Sequence, residues 1–197
     1  MSDTGTNDAR HGPLCLDAVS IRLGERTLVR LSAAIEPGSV TTVMGPSGSG
    51  KSTLLALIAG SLDPAFTARG RVTLAGRDLL ALAPSMRRVG ILFQDALLFP
   101  HLSVAGNLAI ALARETARTG AARRAVIEAA LGEVGLSGFG PRDPATLSGG
   151  QAARVALQRT LLAAPHALLL DEPFSRLDAS LREEVRQLTF DKARARG

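Results

Sequence analysis

The sequence predicts an α/β fold with a mainly parallel sheet, an N-terminal antiparallel β part and an inserted α-helical subdomain. Three observations predict it. A short β-branched run, Val40 to Met44, ends at Gly45 and feeds a Gly-rich loop. A fully apolar run, Ala167 to Leu170, has the pattern of a parallel strand covered on both faces. Between them, about residues 95–165 have helical spacing and few strand formers.

The elements follow in order. Residues 1–13 are polar and read as a flexible tail, with no signal-peptide pattern. From Leu14 to Ile35 apolar and polar residues roughly alternate around Gly24, which predicts two antiparallel strands and a turn. Val40 to Met44 is expected to be a strand, and Thr53 to Ala59, apolar almost all round, a buried helix. Gly70 to Gly76 and Val89 to Phe93 read as further strands. Val104 to Arg118 and the Ala-rich Ala121 to Val134 read as helices of the inserted subdomain. Ala179 to Arg196 is a final amphipathic helix with Leu181, Val185 and Leu188 on one face. No internal repeat is present.

Composition bounds the function. The chain has 197 residues, which favours one domain with an inserted subdomain. Hydrophobic residues at 46% and charged residues at 21% supply a core and exclude wholesale disorder. The aromatics are six Phe, with no Trp or Tyr, which argues against stacking nucleic-acid bases on aromatic platforms. Net charge is +5, carried almost wholly by Arg, because Lys51 and Lys192 are the two lysines. A basic chain suits polyanions, but the Arg is spread along the sequence, which favours reading it as a solvated surface. Cys15 is the single cysteine, so no disulfide forms within the chain and no thiolate-rich metal site is available. No apolar run reaches the ~18 residues of a membrane span. These patterns predict a soluble chain of a reducing compartment.

Residues 45–53 read GPSGSGKST and fit G-x-x-x-x-G-K-[ST] at Gly45, Gly50, Lys51 and Ser52. Gly45, Gly48 and Gly50, with Pro46, Ser47 and Ser49 between them, let the backbone curl so that its N–H groups face phosphate oxygens. Lys51 can reach the β- and γ-phosphates, the Ser52 hydroxyl can ligate Mg²⁺, and Thr53 opens the helix whose N-terminus favours anions. A second candidate is ALLLDEP, residues 167–173. Side chains alternate along an extended chain, so Asp171 is expected to face the Mg²⁺ shell and Glu172 a water at the γ-phosphate. A strand ending in two acids is weak evidence by itself and gains its meaning from the phosphate loop.

Leu147 to Gln151 reads LSGGQ. Ser148 is a good N-cap and Gln151 stands where a capping box wants it. Gly149 and Gly150 leave the helix N-terminus bare enough for a phosphate to approach. By physics alone a well-capped helix is the better account of the segment, because a single phosphate loop already holds one nucleotide. A second anion site in a chain with one phosphate loop makes sense where it serves the nucleotide of another copy.

Taken together these motifs resemble the ATP-binding subunit of an ABC transporter, from about Leu14 onward. GPSGSGKST looks like Walker A, ILFQD puts Gln94 at the Q-loop, LSGGQ matches the family signature, ALLLDEP looks like Walker B, and SRLDA puts Asp178 in the D-loop. LFPHLSVAGNL, residues 98–108, resembles the importer-type start of the helical subdomain. The resemblance implies a head-to-tail homodimer holding two ATP molecules with Mg²⁺. In it Lys51, Gln94 and Glu172 serve catalysis, and Ser52, Gln94 and Asp171 serve the metal. The phosphate loop of one copy would face the Ser148, Gly149 and Gly150 element of the other, and Gln151 and Asp178 would also belong to the nucleotide site. It further implies transmembrane permease subunits, a solute-binding protein, a place on the cytoplasmic face of the membrane, and no nucleic-acid partner.

Two departures stand out. Where the family carries an adenine-stacking aromatic, this chain has about Leu23. The family also places a switch histidine on a strand after the final helix, and the sequence to Gly197 does not include it. His11, His101 and His166 are elsewhere and read as structural or surface residues. An alternative expectation is therefore a dimerising nucleotide-binding module with little hydrolysis. An ABC ATPase of DNA repair or translation fits poorly: Lys51 to Ser148 spans 148 − 51 = 97 residues, too short for a long coiled coil, and one cassette is present rather than two.

Overall fold

The computed structural model describes residues 12–113, 118–175 and 177–194. The fold is mixed α/β, with an N-terminal antiparallel sheet and a parallel sheet. The described residues divide into two compact units, 12–89 with 166–171, and 90–165 with 172–194.

In the first unit β1 (Leu14–Leu23) and β2 (Arg26–Ile35) form the expected hairpin around Gly24. β3 (Phe66–Leu74) pairs antiparallel with the other edge of β1, and the short β4 (Arg77–Asp78) completes the order β2-β1-β3-β4. Alternation sends Leu14, Leu16, Val19, Ile21, Val72 and Leu74 inward, all at least nine-tenths buried. The register slips between Leu16 and Val19, where Ala18 takes φ 47° and forms a bulge. Gly70 crosses that bulge with φ 99°, and a Cβ there would meet Ala18 O at 2.5 Å, so only glycine fits.

α1 (Lys51–Ala59) ends at Gly60 and buries Leu54, Leu57 and Ile58. Arg87 caps its C-terminus: Nη1 donates to Leu57 O at 2.7 Å and Ile58 O at 3.0 Å, and Nε donates to Leu82 O at 3.1 Å. Burial pushes the Arg87 pKa below its usual value, while Asp78 pulls it back. The parallel sheet starts where His166 N–H donates to Arg88 O at 2.7 Å, at the entry to β6 (Ala167–Leu170).

One expected strand is absent. Residues 40–44 carry no strand, and Val40, Val43 and Met44 are 53%, 48% and 88% exposed. A β-branched run makes a strand only where a neighbouring ladder and a covered face receive it, and this segment has neither.

The second unit starts from β5 (Val89–Leu92), which gives it Gly90 to Leu92, and is otherwise helical. Its elements are α2 (Val104–Ala109), α3 (Gly120–Gly132), α4 (Gly149–Leu162) and α5 (Ala179–Arg194). α2 is shorter than the run Val104 to Arg118 suggested, because Ile110 caps it and Arg123 Nη2 donates to Ala109 O at 2.7 Å and Leu112 O at 3.2 Å beyond it. Residues 1–11, 114–117, 176 and 195–197 lie outside the described residues, and with them parts of the expected tail, of the run to Arg118 and of the expected last helix to Arg196. Val104, Leu108, Ile127, Leu131, Val134, Leu136 and Val155 make the core, with Leu188 of α5 packed against it. Ser103, Thr119 and Ser148 cap their helices by accepting from backbone N–H groups.

Candidate nucleotide site

Residues 45–53 curl tightly. Ser49 N–H donates to Pro46 O at 3.3 Å, Gly48 has φ 75° and Gly50 φ 89°. A Cβ on Gly50 would also meet Val29 Cγ2 at 2.6 Å, so that glycine is required twice over. Gly50 is the N-cap of α1 and offers no side chain, so the first-turn N–H groups of the helix stay open to an anion. Lys51 Nζ lies over the loop, donating to Gly45 O and Pro46 O at 2.9 Å each.

The loop reaches β6 through one bond. Ser52 Oγ donates to Asp171 Oδ1 at 2.8 Å, so residues 119 apart in sequence share a point in the first unit. Both are hard oxygen donors, the ligand type Mg²⁺ takes, and two protein oxygens beside phosphate and water suit its octahedral shell. Among the described residues no group of three or more His, Cys, Asp or Glu could hold a metal ion.

The remaining candidates lie in the second unit. Gln94 is exposed in the loop after β5. That loop, Gly149 of α4 and the segment Pro173, Phe174 and Leu177 line a cavity of about 260 Å³. Ser148 forms the expected capping box: Gln151 N–H donates to Ser148 Oγ at 3.3 Å, and Ser148 N–H donates to Gln151 Oε1 at 3.0 Å. Gly149 is exposed, whereas Gly150 is buried, and a Cβ on Gly150 would run into the Leu181 side chain.

Glu172 is exposed and takes φ 49°, a left-handed conformation that a glutamate adopts only when its surroundings hold it. Ser175 holds it, with N–H and Oγ donating to Glu172 O at 3.2 and 2.9 Å. Arg182 holds the next residues: Nε donates to Phe174 O at 3.1 Å and Nη2 to Leu177 O at 2.7 Å. Glu172, Pro173, Phe174, Ser175 and Arg182 line an open pocket of about 400 Å³. Asp178 caps α5, accepting from Leu181 N–H and Ser180 Oγ at 2.9 Å each, and those bonds hold its pKa below the usual carboxylate range.

Sequence reasoning missed Arg87, Arg159, Arg182 and the cap at Asp178, because a lone Arg or Asp on a helix carries no pattern that names its carbonyl or amide partner. His101 and His166 are exposed, and His101 lies edge-on to Phe99 at 5.8 Å; His11 lies outside the described residues. Leu23 is 46% exposed as the last residue of β1.

A phosphate loop with its hydroxyl on a strand-end carboxylate and a capped LSGGQ helix, carried by one chain, define a class of ATP-binding domain. The ABC transporter pattern matches residues 28–175, and the chain belongs to that family as an ATP-binding ATPase domain. It is 50% identical over 183 residues to "Uncharacterized ABC transporter ATP-binding protein YnjD" of Escherichia coli, covering 92% of this chain and 83% of that protein. It is 47% identical over 184 residues to "Thiamine import ATP-binding protein ThiQ" of Cereibacter sphaeroides, covering 93% and 78%. Over 178 residues it is 43% identical to "Fe(3+) ions import ATP-binding protein FbpC" of Brucella abortus, covering 90% and 49%.

Proposed function

We propose that this chain powers import of a solute by hydrolysing ATP on the cytoplasmic face of a membrane, docked on permease subunits. The observation that carries the reading is the Ser52–Asp171 bond, which joins a phosphate loop to the carboxylate that would share its cation. Import is supported by the relatives named for thiamine and iron(III) import. Among the described residues no helix is long and apolar enough to cross a membrane, so the membrane path would belong to partners.

Gly45 to Thr53 wrap the phosphates with backbone N–H groups, and Lys51 leaves the loop carbonyls for the β- and γ-phosphates. Ser52 and Asp171, aided by Gln94, would hold Mg²⁺, which spreads the phosphate charge when bound. Glu172 accepts a hydrogen bond from a water and aligns it on the γ-phosphorus. The water oxygen bonds to phosphorus, the bond from phosphorus to the β–γ bridging oxygen breaks, and ADP leaves with that electron pair. The water's proton passes to Glu172 and then to solvent. Ser148, Gly149, Gly150, Gln151 and Asp178 serve the nucleotide of a second copy, so the working form is a homodimer. A solute-binding protein feeds the permease, and nucleic acid is no partner.

The test is co-purification of the tagged chain with a membrane-spanning partner, together with MgATP turnover that falls about 10²–10³-fold in Glu172→Gln. Binding to nucleic acid that weakens steeply with salt, with no membrane partner, would overturn the reading.

A further inference from the structure

We propose that Arg159 is a positioning residue that fixes the Gln94 loop onto the helix carrying Ser148. The inference rests on the proposed role of Gln94. Arg159 lies in α4, and its guanidinium grips two consecutive carbonyls of the loop, Nη1 on Leu97 O at 2.7 Å and Nη2 on Ala96 O at 3.0 Å. The planar fork of arginine suits a pair of adjacent acceptors, which the point charge of a lysine cannot span.

The loop needs holding. Leu97 takes φ 45°, a left-handed conformation that is strained for leucine, and its side chain is 58% exposed, so burial does not hold it there. Its carbonyl is the one that receives the shorter Arg159 bond. Two residues on, Phe99 is fixed independently: its N–H donates to Oδ1 of the fully buried Asn107 at 2.7 Å, and Asn107 Nδ2 donates to Phe99 O at 3.1 Å. The Phe99 ring lies 5.8 Å from the Arg159 guanidinium carbon, within cation–π reach. Gln94 therefore extends from a segment clamped at Ala96, Leu97 and Phe99, while its own side chain is exposed.

Arg159 is half-buried, and desolvation pushes its pKa below the usual value. Among the described residues no carboxylate is ion-paired with it. Placing a cation there costs solvation and returns loop geometry. Ser148 and Arg159 belong to one capped helix, so a displacement of the LSGGQ end is carried to the Gln94 loop through a stiff element.

The experiment uses the full chain with Arg159→Met and Arg159→Lys, each also in a Gln94→Ala background. Steady-state MgATP turnover is expected to fall about 10–100-fold in Arg159→Met with KM changed less than about twofold, as for a misplaced catalytic group. Arg159→Lys recovers part of the rate. In the Gln94→Ala background Arg159→Met causes no further loss. A loss of the same factor in both backgrounds, or unchanged turnover in Arg159→Met, overturns the proposal. Amide hydrogen exchange supplies a readout that needs no turnover: residues 95–99 exchange faster in Arg159→Met while 148–152 do not. Unchanged exchange at 95–99 overturns the proposal, whatever the rates. Gln94→Ala at the parental rate sinks the reading of Gln94 instead, and the exchange result still decides the clamp.

Discussion

Ser52 Oγ donates a 2.8 Å hydrogen bond to Asp171 Oδ1 across 119 residues of sequence. The bond orients a hydroxyl that would otherwise rotate freely and aims one carboxylate oxygen at the phosphate loop. It leaves the second Asp171 oxygen and the Ser52 lone pairs available, which is what a shared cation needs. Ser52→Ala should therefore reduce the gain in ATP affinity that Mg²⁺ confers, while binding of ATP without Mg²⁺ changes little. Calorimetric titrations with and without the cation compare the two; an undiminished Mg²⁺ effect in Ser52→Ala removes that residue from the metal site.

Lys51→Ala is expected to weaken MgATP binding about 10–100-fold, the loss of one or two charge-assisted bonds to phosphate. The melting temperature should hardly move, because the two carbonyls that Lys51 now holds, Gly45 O and Pro46 O, belong to exposed residues and can be solvated by water. Equal affinity of variant and parent by titration calorimetry would falsify the assignment.

Glu172→Gln keeps the shape of the side chain and removes its charge. MgATP binding should survive, turnover should fall by about 10²–10³ as for other lost charge-handling groups, and a nucleotide-bound dimer should accumulate. Size-exclusion chromatography with MgATP reads the dimer. A variant that no longer binds ATP would show that the division of labour between Asp171 and Glu172 is wrong.

Arg87→Met should destabilise the first unit by about 2–3 kcal/mol, since it strips the partner from three carbonyls, two of them at the end of α1. Arg87 is 8% exposed, so water cannot readily replace the lost donors. Chemical denaturation measures the loss; a change below about 0.5 kcal/mol, the range of ordinary surface substitutions, would mean that the cap is dispensable.

Asp178 contributes a pH dependence of known sign. Its folded pKa lies below the unfolded value of about 3.9, so its stabilising effect is complete above that pH and fades as pH falls through the folded value. Asn is also a good N-cap but does not titrate. Asp178→Asn should thus narrow the difference in α5 amide protection between pH 7 and pH 3. The same difference in both proteins would show that other carboxylates govern the acid response.

Elements whose signal is local are legible in the sequence. The β1–β2 hairpin follows from alternation around Gly24, β6 from an unbroken apolar run, and the capping box from Ser148 and Gln151 three residues apart. The phosphate loop was legible for the same reason, since its glycines and Lys51 act over nine consecutive positions. The other features depend on contacts between segments. Val40 to Met44 has the propensity of a strand, yet a strand exists through its neighbours, and none covers this run. The Ser52–Asp171 bond and the arginine clamps on Ala96, Leu97, Phe174 and Leu177 join residues that no periodicity links. The left-handed φ of Leu97 is likewise held by the Arg159 guanidinium that the fold brings up to its carbonyl, because the leucine side chain does not prefer it. Local pattern marks which segments can be helix or strand; contacts between segments decide which strands form and where the functional side chains are held.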